Sequence, residues 1–101
     1  MYPINHCKGN CYGKYEFEFI QNSMGKKELV KYNGSDSVVI IPDCVECIGE
    51  KAFSNTDFID TVIIPDSVTN IGYGAFLGSS ISHITIKKSV TQISAYAFSE
   101  C

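Results

Sequence analysis

The feature that most constrains the fold of this chain is a fourteen-residue pattern that occurs three times. The copies are IIPDCVECIGEKAF at 40–53, IIPDSVTNIGYGAF at 63–76 and TIKKSVTQISAYAF at 85–98. The first two copies are 23 residues apart and the last two are 22 apart. Self-similarity at a period of about 20 to 50 residues is typical of a solenoid, whose units bury an apolar face only on their neighbours. The sequence therefore predicts stacked coils.

Each unit contains two short extended segments. In the second unit, the apolar residues Ile59, Val62 and Ile64 come to alternate with other residues toward the end of the segment. This pattern predicts a short strand that stops at Pro65. Residues 68–71 predict a second strand, and 72–76 suit a tight turn or one turn of 3₁₀ helix. The glycines at 49 and 72 suggest a left-handed backbone after the second strand. Serine stands at the equivalent position 94, so positive φ is convenient there and not obligatory.

Stacking places equivalent residues about 4.7 to 4.9 Å apart across a parallel ladder. Phe53, Phe76 and Phe98 would then form an internal column, and each ring would contribute roughly 1.5 to 3 kcal/mol through burial. The other inward sets are Ile41, Ile64 and Ile86; Val45, Val68 and Val90; Ile48, Ile71 and Ile93; and Ala52, Ala75 and Ala97.

The first 36 residues do not repeat. Two segments alternate apolar and polar residues: YEFEFI at 15–20 and KKELVKY at 26–32. The turn-forming segment QNSMG separates them. Because a solenoid needs its open end covered, we interpret this segment as a β-hairpin laid over the first coil. The sequence thus predicts an N-terminal segment with a capping hairpin at 1–36 and about three coils, the last one incomplete, at 37–101.

The repeat resembles the leucine-rich repeats of the BspA-like type, which have a 23-residue period. Aliphatic-Pro-Asp, Val, Ile-Gly and Ala-Phe recur in order over about 37–101. Family units often carry a Cys three residues after Ala-Phe, and only Cys101 keeps it; Lys87 and Lys88 replace Pro-Asp in the third unit. The resemblance implies a mostly β, right-handed leucine-rich-repeat solenoid with short 3₁₀ or helical turns and an N-terminal hairpin cap.

The resemblance also implies function, because BspA-like proteins are commonly secreted or at the cell surface and associated with adhesion to host proteins, matrix proteins or other cells. The first residues lack the apolar segment of a signal peptide, so the sequence leaves the localisation open. The chain stops at Cys101, in the turn after the third Ala-Phe. We expect an excerpt of a longer protein or a truncated family member, and homodimerisation through the uncapped C-terminal coil.

Charge and hydropathy exclude several partners. The net charge is -3 and the pI is near 5.2, so the chain has no basic field to attract nucleic acid or anionic membrane surfaces. No apolar run approaches the roughly 18 residues of a membrane-spanning helix. We therefore expect neither nucleic acid binding nor membrane insertion.

The cysteines offer the first candidate chemistry. Cys44 and Cys47 invite a zinc or redox interpretation. Cys44 is equivalent to serines at 67 and 89, and Cys47 is equivalent to the amide residues at 70 and 92. This favours the interpretation that both cysteines are substitutions at ordinary positions of a coil. On an extended segment they would lie roughly 10 Å apart, beyond disulfide reach. A second cluster, His6, Cys7 and Cys11, leaves an N-terminal disulfide, free thiols or a zinc site shared with Cys44 and Cys47 open.

An enzyme would need a nucleophile, a base and an orienting group, or paired carboxylates, on one surface. His83 is the only histidine in the repeats, and its equivalents are Val38 and Thr61. We interpret it as a surface strand residue. The sequence therefore predicts a non-enzymatic protein with no catalytic residues, no cofactor and no metal.

The register does predict an interaction surface. On the first strand of each coil the outward positions are Val38, Ile40, Thr61, Ile63, His83 and Thr85. An exposed apolar stripe rimmed by polar groups often marks a contact surface, although β-branched residues also simply suit strands. The outward positions of the second strand are polar: Glu46, Cys47, Thr69, Asn70, Thr91 and Gln92. We predict a non-catalytic module that binds a protein or a glycan, and a structural spacer or self-association unit is the alternative.

Overall fold

The computed structural model describes residues 17–101, and this range contains strands and turns without a helix. Consequently no helix in this range could cross a membrane. The strands are β1 (Phe17–Gln21), β2 (Lys27–Tyr32), β3 (Val38–Ile40), β4 (Cys47–Ile48), β5 (Thr61–Ile63), β6 (Asn70–Ile71), β7 (His83–Ile84) and β8 (Gln92–Ile93). The predicted mostly β solenoid is confirmed.

The strands form two sheets that run along the stack. The three-stranded sheet has the order β3-β5-β7, and the five-stranded sheet has the order β1-β2-β4-β6-β8. Coil-to-coil pairing is parallel and joins equivalent residues: Val39 pairs with Val62, and Ile48 pairs with Ile71, which pairs with Ile93. Each coil thus contributes one strand to each sheet.

The predicted hairpin is present and extends the five-stranded sheet. β1 and β2 pair antiparallel around a turn in which Gly25 N donates to Asn22 O at 2.9 Å. β2 then pairs parallel with β4, where Leu29 lies opposite Ile48. Leu29 is fully buried, so the hairpin covers the apolar face of the first coil.

The core contains the predicted aromatic column. The ring centroids of Phe53 and Phe76 are 5.1 Å apart, and those of Phe76 and Phe98 are 5.3 Å apart, with interplanar angles of 8° and 5°. Tyr32 of the hairpin continues the column at 5.5 Å from Phe53. Phe53 and Phe76 are fully buried and Phe98 is half-buried. Identical rings therefore lie on each other because the parallel register places them there.

The last coil departs from the predicted burial. Ile86 is 39% exposed and Ile93 is 50% exposed, whereas their equivalents Ile64 and Ile71 are buried. No further coil among the described residues lies on this surface, so apolar groups that the first two coils bury face outward here.

The left-handed positions are not where the sequence predicted them. Gly49 and Gly72 do not have positive φ. Instead, positive φ recurs at two other equivalent positions of every coil: Lys51, Gly74 and Tyr96, and Asn55, Gly78 and Glu100. A Cβ added at Gly72 would lie 2.9 Å from the Ile48 carbonyl oxygen, and one at Gly49 would lie 2.8 Å from that of Leu29. Close approach to the neighbouring coil at Gly72 and to the hairpin at Gly49, and not backbone handedness, explains these two glycines.

We expect Gly72→Ala to lower the free energy of unfolding by about 1 to 3 kcal/mol, because the methyl group would push one coil away from the next. Equilibrium urea denaturation measures the loss. Ser94→Ala is the matched control, since Ser94 is the exposed equivalent in the last coil, and its change should stay within about 0.5 kcal/mol. Equal stability of Gly72→Ala and the unsubstituted chain would contradict the close-approach explanation.

Candidate interaction surfaces

The outer side of the three-stranded sheet, which we call the aliphatic face, brings together the six predicted contact residues. They are Val38, Ile40, Thr61, Ile63, His83 and Thr85. Val38 pairs with Thr61, and Ile40 pairs with Ile63 in the parallel ladder. The intervening Val39 is buried, because successive side chains of a strand point to opposite sides.

The aliphatic face exposes three large apolar side chains. Val38 is 48% exposed, Ile40 is 58% exposed and Ile63 is 46% exposed. A shallow depression of about 230 Å³ lies on this face, and Thr61, Ile63, His83, Thr85 and Lys87 contribute to its lining. The predicted outward placement of these residues is therefore confirmed, while their contact with a partner stays a prediction.

A polar cluster borders the aliphatic face at His83. The Asp60 carboxylate accepts hydrogen bonds from Ser82 Oγ at 2.6 Å and Thr61 Oγ1 at 2.9 Å, and lies 3.6 Å from His83 Nδ1. The pKa of Asp60 lies below its usual value, and the hydrogen bond from Ser82 is the largest cause. The hydrogen bond from Thr61 comes next, and the nearby His83 imidazole adds a smaller effect. The group thus places a carboxylate and an imidazole at the rim of the face.

This cluster does not have the order of a hydrolytic triad. His83 Nδ1 lies 3.3 Å from Ser82 Oγ and also faces Asp60. In a triad the histidine uses one nitrogen toward the nucleophile and the other toward the carboxylate. Because one nitrogen of His83 faces both groups here, the arrangement suits surface hydrogen bonding and not nucleophile activation.

The five-stranded sheet carries a second surface, a groove of about 510 Å³ that we call the polar groove. The hairpin contributes four residues to its lining: Asn22, Met24, Lys26 and Glu28. The coils contribute Cys47, Glu50, Thr69, Asn70, Tyr73, Thr91, Gln92 and Ser94. Most of these side chains are polar, as the sequence predicted for this side of the coils.

Hydrogen bonds connect side chains of the polar groove into one chain. Lys26 Nζ donates to Thr69 Oγ1 at 3.3 Å, and Thr69 Oγ1 donates to Asn70 Oδ1 at 2.8 Å. Asn70 Nδ2 in turn donates to Gln92 Oε1. Connected polar groups restrain one another, so the array runs from the hairpin to the last coil in a defined orientation.

The two cysteines of the CxxC sequence have different environments. Cys44 takes part in a disulfide, whereas Cys47 is a buried free thiol, so the two do not pair with each other. Cys47 was predicted on the outer polar face, but it is buried, and Asn22 Nδ2 lies 3.6 Å from its Sγ. Burial raises the pKa of the Cys47 thiol, which favours the unreactive protonated form.

Metal-binding groups are sparse in the range that the structure describes. Within residues 17–101, no three His, Cys, Asp or Glu side chains come close enough to hold a metal ion. The alternatives predicted for His6, Cys7 and Cys11 lie outside that range.

Sequence reasoning missed two groups in these surfaces. Lys87 contributes to the depression on the aliphatic face, and its repeat alignment with the strand-ending Pro65 could have indicated a position beside the strand. Lys26 belongs to the non-repeating hairpin and is 43 residues from Thr69. No repeat pattern could have placed it in the groove.

Stacked coils with equivalent residues in register define a leucine-rich-repeat solenoid, a class of generally non-catalytic proteins that serve in protein interaction or at surfaces. The chain belongs to the BspA-type leucine-rich repeat family, because the model of a BspA-type leucine-rich repeat region of six copies matches residues 26–101. No curated protein matches the chain.

Solved structures of bacterial proteins share the fold. A T. pallidum leucine-rich repeat protein is 25% identical with a TM-score of 0.81 over 85% of this chain and 44% of its own. One from Bacteroides capillosus is 29% identical with a TM-score of 0.74 over 82% of this chain and 70% of its own. A leucine-rich cell surface protein from Faecalibacterium prausnitzii is 30% identical with a TM-score of 0.76 over 89% of this chain and 28% of its own. The chain thus spans less than half of the first and third.

Proposed function

We propose that the chain is a non-catalytic interaction module that captures a protein partner on the aliphatic face. The observation that carries this proposal is the exposure of Val38, Ile40 and Ile63 side by side on a parallel sheet whose other side is the core. Removing such side chains from water contributes about 25 cal/mol for each Å² of apolar surface, from which the entropy lost on association must be subtracted. Because the ladder fixes the backbone, little ordering is needed on binding.

The composition of this face favours a protein over a glycan. Aliphatic side chains offer no hydrogen bonds to sugar hydroxyls, but they suit the apolar centre of a protein interface. The rim supplied by Thr61, His83, Asp60 and Lys87 provides the polar surround that such interfaces have.

The setting of this capture, in our proposal, is adhesion at a cell surface. Its support is the family membership and the F. prausnitzii relative, which is described as a cell surface protein. The partner would then be a host, matrix or cell-surface protein.

The test is direct binding of the purified chain to a panel of purified matrix and cell-surface proteins, measured by biolayer interferometry. We expect the chain to capture at least one protein of the panel, and an excess of that protein free in solution should compete with the capture. No capture at the highest soluble concentration would favour the structural spacer.

The exposed last coil supports the second candidate, self-association. We propose that two copies of the 101-residue chain cover each other's last coil, because Ile86 and Ile93 are exposed there. Light scattering coupled to size exclusion should show a dimer at high concentration and no dimer for Ile93→Lys. Ile20→Lys is the matched control, since Ile20 and Ile93 are each 50% exposed. A strict monomer at every concentration contradicts this proposal.

A further inference from the structure

The polar groove differs in chemistry from the aliphatic face. Its volume of about 510 Å³ falls within the range of about 300 to 1,000 Å³ that is typical of ligand sites. It spans the second strands of the coils and is bounded by the hairpin, which contributes Asn22, Met24, Lys26 and Glu28 to its lining. The groove is therefore large enough for a ligand and has its own set of side chains.

The amides in this groove retain unused hydrogen-bonding capacity. A side-chain amide has two N–H donors and an oxygen with two lone pairs. Asn70 uses one lone pair for Thr69 and one N–H for Gln92, so one donor and one acceptor have no partner among residues 17–101. The Gln92 side-chain N–H groups donate to no described residue. The groove thus presents donors and acceptors side by side.

The hydrogen-bonded chain holds these groups in place before a ligand arrives. Lys26 fixes Thr69, Thr69 fixes the acceptor side of Asn70, and Gln92 fixes its donor side. Ordering long polar side chains on binding costs about 0.5 to 1.5 kcal/mol for each one. An array that is already ordered avoids part of that cost.

The aromatic lining adds a flat apolar surface. Tyr73 contributes to the groove lining and is 43% exposed. Its ring is supported edge-on by Tyr96, with the centroids 5.6 Å apart. A tyrosine offers an apolar ring and a polar tip together, which suits a ligand that carries C–H surface beside hydroxyl groups.

The charges of the groove disfavour an anionic ligand. Among the described residues of its lining, Lys26 is the single cation, and Glu28 and Glu50 accompany it. A sulfated or acidic polymer would meet these carboxylates and gain little from one lysine. The charge pattern therefore argues against an anion, and a neutral ligand is compatible with it.

We propose that the polar groove binds a neutral oligosaccharide. Neighbouring sugar hydroxyls present donors and acceptors side by side and match the free edges of Asn70 and Gln92, while the C–H face of a pyranose ring packs on Tyr73. This site lies on the five-stranded sheet, whereas the proposed protein contact lies on the three-stranded sheet. Loss of either activity therefore leaves the other one testable.

The test is a titration of the ¹⁵N-labelled chain with maltohexaose, cellohexaose and mannohexaose, followed through the side-chain NH₂ signals of Asn70 and Gln92. A heparin hexasaccharide and an uncharged Gly-Ser hexapeptide are the comparison probes. We expect saturating shifts with at least one neutral sugar, at a Kd of about 1 mM or tighter, and none with heparin.

Two variants locate the site. Gln92→Ala and Tyr73→Ala should each weaken sugar binding about tenfold or more, and far-UV circular dichroism establishes that both remain folded. Ile63→Lys, an exposed substitution on the three-stranded sheet and outside the groove lining, should leave the affinity unchanged. The proposal is overturned if no neutral sugar shifts these signals, if only the peptide or heparin does, or if both groove variants bind sugar normally.

Discussion

Phe76→Ala is expected to lower the free energy of unfolding by about 3 to 5 kcal/mol. The Phe76 ring is fully buried and lies between the rings of Phe53 and Phe98, at 5.1 and 5.3 Å. Its removal would leave a cavity that two stacked coils cannot close without breaking their shared ladder. Since small domains are stable by only about 5 to 15 kcal/mol, the variant should lose much of its stability. Urea denaturation followed by far-UV circular dichroism measures this loss.

Phe98→Ala is the control within the same column. Phe98 is half-buried and stacks on a single described ring, that of Phe76. Its truncation should cost clearly less than that of Phe76, because part of its surface is already in water. If the two variants lost the same stability, or if Phe76→Ala lost under about 1 kcal/mol, the aromatic column would not be the main stabilising element.

The stacking of the coils could be predicted because it follows from the spacing of equivalent residues in the repeats. Once Ile48 and Ile71 are equivalent, a parallel ladder must place one on the other, and the structure shows that pairing. The loss of one residue between the second and third copies left the register intact: Ile71 pairs with Ile93. Period and hydrophobic pattern therefore determine the sheets and the core.

The roles of individual glycines could not be predicted in this way. A recurring glycine signals either positive φ or close approach, and sequence alone does not separate the two. Lys51 and Tyr96 occupy left-handed positions with φ of 56° and 59°, although neither residue type favours that conformation. Gly72 instead lies against the Ile48 carbonyl, which becomes visible only when the distance between coils is known.

The candidate surfaces were predictable to different degrees. The alternation of Val38, Val39 and Ile40 sufficed to predict which side chains face outward. The burial of Cys47 was missed because its cover, the hairpin, lies outside the repeat. The same limit applies to Lys26, whose contact with Thr69 joins two segments that share no period.

Replacing Ile40 and Ile63 together with lysine is expected to abolish partner capture on the aliphatic face. Each side chain is about half exposed, so each lysine can extend into water, and folding should change by about 0.5 kcal/mol or less at each site. A bound partner would instead bury two charges without counterions. Hot-spot residues at the centre of an interface contribute at least about 2 kcal/mol each, so with both isoleucines in that role the affinity should fall roughly 1,000-fold.

Ile20→Lys separates this loss from a general effect of added charge. Ile20 is 50% exposed on β1, in the other sheet, and its replacement adds the same cation at a comparable exposure. Interferometry against the captured panel protein should show unchanged binding for this control. Undiminished capture by the Ile40→Lys, Ile63→Lys chain would remove the aliphatic face as the contact surface. Its exposed β-branched residues would then reflect strand propensity alone.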